Sequence, residues 1–277
     1  LTDPAREPDR QRPLQPVQRS HSDDLDEARG PARRGIYLLP NLITTGALFG
    51  GFYAIVAAIN GHPISAAISI YAAVLLDTAD GRVARLTRTQ SAFGAQYDSL
   101  SDMVAFGVAP GLVAFTWSLS QLGQLGWVVT FLYMACTALR LARYNTQGDI
   151  SSFTGLASPA AACLVVTVIW VLEDGRMAGD SVGLVQAGLV ASITTMAAML
   201  MVSNFRYFSP KMLTLRGRVP FIVLVAVVLG FAIVLADPPR VLLTLAALYA
   251  LSGPVQWLVR LRKGGADSAS GASDDDL

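Results

Sequence analysis

Four aspartates, Asp77, Asp80, Asp98 and Asp102, stand within the run LLDTADGRVARLTRTQSAFGAQYDSLSDMVAFG, residues 75–107. Asp77 and Asp80 are three apart, and Gly94, Asp98 and Asp102 recur every four residues, so on helices each set lines one face. Gly81 and Ala84 share the face of the first pair. With Gly94 they leave room for a ligand to come close to the backbone. Four carboxylates converging where water is scarce repel one another; they must take up protons or bind cations. A set of ligands made only of oxygen suits a hard divalent cation, Mg2+ or Mn2+. A single helix-end Asp needs no more than access to water. Four in this register, interleaved with Arg85 and three small residues, point to a metal-dependent site.

The elements that must position these acids are apolar. The chain has 277 residues, of which 53% are hydrophobic and only 15% charged, where a soluble domain carries about a quarter. Its mean hydropathy is +0.47. The apolar residues fall in runs near the 20 or so residues that cross a bilayer. We therefore expect an all-α, polytopic membrane bundle of about eight transmembrane helices. They fall near Leu39–Asn60, Ile64–Leu86, Phe93–Leu119, Gly126–Tyr144, Ser158–Glu173, Val182–Asn204, Val219–Ala236 and Val241–Arg262. The fifth is short enough to be partly buried in protein. Residues 1–34 and 265–277 are polar and read as disordered cytoplasmic tails flanking a transmembrane catalytic domain, 35–264. No secretory leader is expected in the polar N-terminal stretch. Cys136 and Cys163 lie in apolar runs as small packing residues, and His21 and His62 form no metal-ligand pattern.

Basic residues cluster in alternate loops. Arg33 and Arg34 precede the first helix, and Arg82, Arg85 and Arg88 follow the second. Arg140 and Arg143 end the fourth, Arg206, Lys211, Arg216 and Arg218 follow the sixth, and Arg260, Arg262 and Lys263 end the eighth. The intervening loops carry only Arg176 and Arg240. The positive-inside rule then places both termini, the basic loops and the aspartates on the cytoplasmic side.

The acidic segment reads D-x2-D-G-x2-A-R-x8-G-x3-D-x3-D, with Asp77, Asp80, Gly81, Ala84, Arg85, Gly94, Asp98 and Asp102 in the fixed positions. It resembles the signature of the CDP-alcohol phosphatidyltransferase family at every one of them. The stretches LLPNLITTGALFGGFYAI, DSLSDMVAFGVAP, ALRLARYN, FTGLASPAA and MVSNFRYFSPK are most similar to the integral-membrane bacterial members that use L-serine. Ala157 departs from the proline expected in the last but one of these loops. The resemblance implies the family's helical membrane fold in the bacterial cytoplasmic membrane, with the active site on its cytoplasmic side. It implies two divalent cations, Mg2+ or Mn2+, on Asp77, Asp80, Asp98 and Asp102, with Asp102 also the general base. Gly81, Ala84 and Gly94 would make room for the cytidine of CDP-diacylglycerol. Arg85, helped by Ser91, would hold its phosphates, and Asn41 and Thr44 would touch it from the first helix. The phosphatidyl group would pass directly to the acceptor hydroxyl, with release of CMP.

A zwitterionic acceptor such as serine needs a cation for its carboxylate. Arg140, Arg143 and Lys211 are the candidates, ahead of Asn145, Ser203 and Arg206. Arg140 and Arg143 are preferred because they are three apart on one face at a helix end. Membrane lipids surround the chain, a homodimer is one possible assembly, and no nucleic-acid partner is expected. Two other readings stand beside this one. A sister enzyme using glycerol 3-phosphate or an inositol phosphate would need more basic residues for a phosphate dianion. A cation transporter would need acids continuing through the later helices, and none is present there.

Overall fold

A computed structural model of the chain describes residues 31–146, 155–177, 181–205, 207 and 221–270. Helix α1 covers Pro31–Ile59, α2 Pro63–Thr87 and α3 Ala92–Asp102. The rod of α3 continues through a π-helical turn, Met103–Val108, into α4, Ala109–Trp117. A short 3-10 turn, Leu119–Leu122, leads to α5, Gln124–Thr146. Then come α6, Ser158–Asp174; α7, Leu184–Val202; α8, Phe221–Ala236; and α9, Pro238–Ser270. The described residues include no strand. Helices therefore stand at each place where the apolar runs put one. Five rods are long and apolar enough to cross a bilayer, or six when α8 and α9, which meet at 116°, count as one broken span. Helix α6, with 17 residues, falls short of a full crossing and is packed inside the protein, with Ala161, Val166 and Ile169 fully buried. These spans mark an integral membrane protein. Helix α1 begins at Pro31 and α9 ends at Ser270, inside the segments read as tails; the rest of both tails lies outside the described residues.

Between lipid-bathed helices there is little hydrophobic drive, so close packing and hydrogen bonds hold them together. Small residues provide that packing. A Cβ on Gly51 would come within 2.6 Å of the Ala105 Cα, so α1 rests directly on the π-helical turn. Gly50 lies against Ala73 of α2, and Ser69 Oγ donates to the Gly50 carbonyl at 2.7 Å. The α2–α3 connection is only residues 88–91. Arg88 closes α2 in the left-handed region, φ 54°, and the Thr89 N–H returns to the Ala84 carbonyl at 3.1 Å. Ser91 caps α3 by accepting the Gly94 N–H at 3.0 Å, as an N-cap serine should. This tight turn makes the two acid-bearing helices antiparallel neighbours.

At two prolines that interrupt helical hydrogen bonding, Pro110 and Pro254, a tyrosine repairs the loss; Pro40, inside α1, is a third such proline. Pro110 has no N–H to offer the carbonyl four residues back. That carbonyl, on Phe106, accepts from the buried Tyr133 hydroxyl at 3.0 Å. Pro254, inside α9, likewise frees the Ala250 carbonyl, which accepts from Tyr207 at 3.0 Å. At the end of the bundle away from the aspartates, Glu173 accepts from Trp117 Nε1 at 2.8 Å and pairs with Arg176.

Candidate active site

The turn after α2 and the cap on α3 fix where the acids meet. Asp77, Asp98 and Asp102 bring ligand oxygens within 4.8 Å of one another. Asp77 and Asp102 are close enough to share a hydrogen bond. The fourth acid stands slightly apart. Asp80, almost wholly buried, accepts from the Thr44 hydroxyl of α1 at 2.7 Å. Ser101 of α3 reaches the same turn of α1, donating to the Thr44 carbonyl at 3.2 Å. The sequence reading of four converging acids thus becomes three in one cluster and one held beside it. At an effective dielectric of about 20, two carboxylates this close repel by roughly 3.5 kcal/mol or more when ionised. The Oδ1 of Asp98 is buried with no hydrogen-bond partner, a cost of about 1–3 kcal/mol unless something binds there. An all-oxygen donor set with an orphaned carboxylate oxygen fits a hard divalent cation.

A cleft of about 380 Å³ opens beside the cluster. Its wall includes Asn41, Thr44, Gly81, Ala84, Arg85, Ser91 and Gly94, the complete set assigned to the nucleotide from the sequence. Asp80 and Asp98 face it too. A Cβ on Gly94 would meet Ser91 Oγ at 3.1 Å and Asn41 Oδ1 at 3.4 Å, while the Arg85 guanidinium lies 3.8 Å from where a Gly81 Cβ would stand. Other wall residues escaped the sequence reading: Thr89, Gln90, Ser99 and Tyr144. Ser99 continues the helical stripe through Ala95, a signal the spacing did hold. Tyr144 comes from α5, and no local pattern links it to the motif. Asn145, weighed for the acceptor, also lies on this wall, donating to Ser99 Oγ at 3.0 Å.

Asp77 and Asp102 are not on the cleft wall. Asp102 lies instead within electrostatic reach of Arg140. Arg140 donates from Nη1 to Ser158 Oγ at the start of α6, 2.8 Å. Arg143 donates to Asn204 Oδ1 at 3.0 Å, just after α7. The two arginines paired by their spacing therefore hold different partners. Lys211 and Arg206 lie outside the described residues. The carboxylates thus have two sides, a nucleotide-sized cleft on one and a half-buried arginine on the other.

The family model for CDP-alcohol phosphatidyltransferases matches residues 37–203. The chain belongs to the CDP-alcohol phosphatidyltransferase family. This family generally uses divalent metals, in keeping with the acidic cluster. The chain is also 36% identical over 234 residues to a Helicobacter pylori protein named CDP-diacylglycerol–serine O-phosphatidyltransferase, an overlap of 82% of this chain and 94% of that one. A Methanocaldococcus jannaschii protein of the same name is 34% identical over 190 residues, 68% of this chain and 82% of its own. In a Bacillus subtilis protein of that name, 35% identity extends over 130 residues, 46% of this chain and 73% of its own.

Proposed function

We propose that the chain transfers the phosphatidyl group of CDP-diacylglycerol to the hydroxyl of L-serine, releasing CMP. The observation that carries this reading is the meeting of the aspartate cluster with a cleft lined by every residue the motif assigns to the nucleotide. The relatives' shared name supports serine as the acceptor.

Each residue then has a task. Arg85 and the Ser91 hydroxyl bind the diphosphate, charge-assisted contacts that also fix its orientation. Gly81, Ala84 and Gly94 let the cytidine lie against the backbone, with Asn41 and Thr44 closing the α1 side. Asp77, Asp98 and Asp102, with Asp80 beside them, would hold two divalent cations. These would offset the diphosphate's charge and stabilise the charge gathering on the departing CMP. Asp102, on the Arg140 side, takes the proton from the serine hydroxyl as its oxygen attacks the lipid-bearing phosphorus. The bond from that phosphorus to the CMP oxygen breaks, and the product keeps the diacylglycerol phosphate. Arg140 and Arg143, with Lys211, supply positive charge for the acceptor's carboxylate. The charge pattern of the loops supports a cytoplasmic active site and cytoplasmic termini, with acyl chains remaining in the bilayer and serine arriving from water.

A purified-protein assay tests this. CDP-diacylglycerol, Mn2+ or Mg2+, and labelled serine should give phosphatidylserine and CMP in equal amounts, with glycerol 3-phosphate and inositol phosphate poor acceptors. Preferred transfer to either phosphate overturns the serine reading and leaves the family reaction.

A further inference from the structure

Helices α6, α7 and α9 line a second groove, of about 380 Å³. Its wall is apolar throughout, with Leu164, Val168 and Leu172 from α6, Ile193 from α7, and Leu243 and Ala247 from α9 among its members. Between Leu164 and Leu172 it follows α6 for about 12 Å. It lies away from the aspartates. Leu172 is next to Glu173, which binds Trp117 at the far end of the rod that carries Asp102. Fifteen residues, roughly 22 Å of helix, separate Asp102 from Trp117.

Size and setting decide what fills this groove. A wall without neighbours forfeits its dispersion contacts, and between membrane helices the surrounding phase is hydrocarbon. A helix of a second copy does not fit. One turn of a helix about 10–12 Å across already occupies roughly 400 Å³ or more. Helices also dock in membranes on small or polar residues, and the wall offers only Ala247 and Ala250. A single acyl chain is thin enough and needs no polar partner.

An acyl chain gains little by leaving one hydrocarbon phase for another, so a headgroup must supply the selectivity. The polar end of the groove has the groups for it. Arg240, Leu243 and Ala247 are three and four residues apart, on one face of α9, which sets an exposed guanidinium one turn from the wall. Arg240 pairs with Asp237 at 2.6 Å, and Arg176 pairs with Glu173. Asp174, two residues past Leu172, is exposed. Arg176 and Arg240 are the only basic residues in the loops of this end. Among the described residues they face three acids, Glu173, Asp174 and Asp237. A headgroup with both a phosphate and an ammonium meets both signs. A purely anionic one meets more acid than base.

We infer that this groove holds one acyl chain of a resident zwitterionic phospholipid, in the leaflet away from the aspartates, with its phosphate on Arg240 and its ammonium on Asp174 and Asp237. The site is separate from the reaction centre and does not depend on which acceptor is used there.

Phosphatidylethanolamine, added to the purified, delipidated full-length protein in detergent, is the probe. Native mass spectrometry should find one molecule retained per chain. The Tm should rise with it, in EDTA as much as in Mn2+, since the carboxylate cluster takes no part. Phosphatidylglycerol, which has the phosphate and no ammonium, should bind about tenfold more weakly. A diacylglycerol with the same chains should not be retained. Ala247→Phe fills the groove and should abolish retention. Arg240→Gln with Asp237→Asn leaves the groove intact and strands neither charge; it should weaken retention by at least about tenfold. Both variants should keep the natural turnover. Natural affinity in either variant overturns the proposal. So does diacylglycerol or phosphatidylglycerol bound as tightly as phosphatidylethanolamine, or a Tm rise lost in EDTA. A dimer that Ala247→Phe splits while the lipid stays would make the groove a subunit contact and overturn it too. If Ala247→Phe does not fold, the paired charge variant and the headgroup series decide alone.

Discussion

At the scale of single residues, position gives four chemically identical side chains different surroundings. Asp80 is buried and bound by Thr44, Asp98 has an orphaned oxygen and faces the cleft, and Asp102 lies toward Arg140. Asp102→Asn keeps the size and one ligand oxygen but cannot take a proton. Transfer to serine should fall by at least about a hundredfold while CDP-diacylglycerol still binds. Asp77→Asn should instead weaken metal and nucleotide binding together, because it removes a charged ligand. Turnover assays paired with binding of labelled CDP-diacylglycerol separate these outcomes, and near-normal turnover by Asp102→Asn would move the base to Asp98. These residues were legible because all eight fixed positions lie on two helices joined by a four-residue turn, so local spacing alone brings them together. Tyr144 was not. It reaches the cleft from α5, and nothing in an apolar run says which of its members will face a distant motif.

At the scale of elements, the apolar runs announced the helices but not their irregularities. The π-helical turn directly after Asp102 has the same apolar composition as α4, which follows it, so no pattern in Met103–Val108 marks it. Its position has a physical reason. Gly51 lets α1 settle on Ala105, and Pro110 cannot continue the ordinary hydrogen-bond ladder. Tyr133 then completes the Phe106 carbonyl from across the helix interface. Tyr133→Phe should strand that buried carbonyl and destabilise the protein by about 1–3 kcal/mol. Pro110→Ala restores an N–H four residues on, so the tyrosine change should cost less in that background. Thermal unfolding of the two single variants and the double variant in detergent measures the coupling. Strict additivity would mean that Tyr133 does not serve the proline-freed carbonyl.

At the scale of the whole molecule, the bundle is chemically polarised. The acid cluster, the cleft and both arginines gather at one end. Glu173, Asp174 and Asp237, away from that cluster, have partners of their own or lie at the surface. Glu173 is bound to Trp117 and Arg176, Asp237 pairs with Arg240, and Asp174 is exposed. No acidic path runs through the bundle among the described residues, which favours a one-sided reaction centre over an ion route. The cleft is walled by α1, α2, α3 and α5, so a nucleotide held there ties four helices together through one ligand. Binding to the folded state alone stabilises it by about 2.7 kcal/mol at a hundred times Kd. CDP-diacylglycerol should therefore raise the Tm of the purified protein, but only when a divalent cation is present. The ionised acids and the diphosphate repel one another unless positive charge lies between them. Excess EDTA should abolish both the shift and the turnover, and Mn2+ or Mg2+ should restore them. Asp98→Asn, which neutralises a ligand facing the cleft, should unfold at a temperature that CDP-diacylglycerol and Mn2+ no longer raise. A full Tm shift and full turnover in EDTA would show that the diphosphate is held by Arg85 and its neighbours alone, and the carboxylate cluster would lose its role as a metal site.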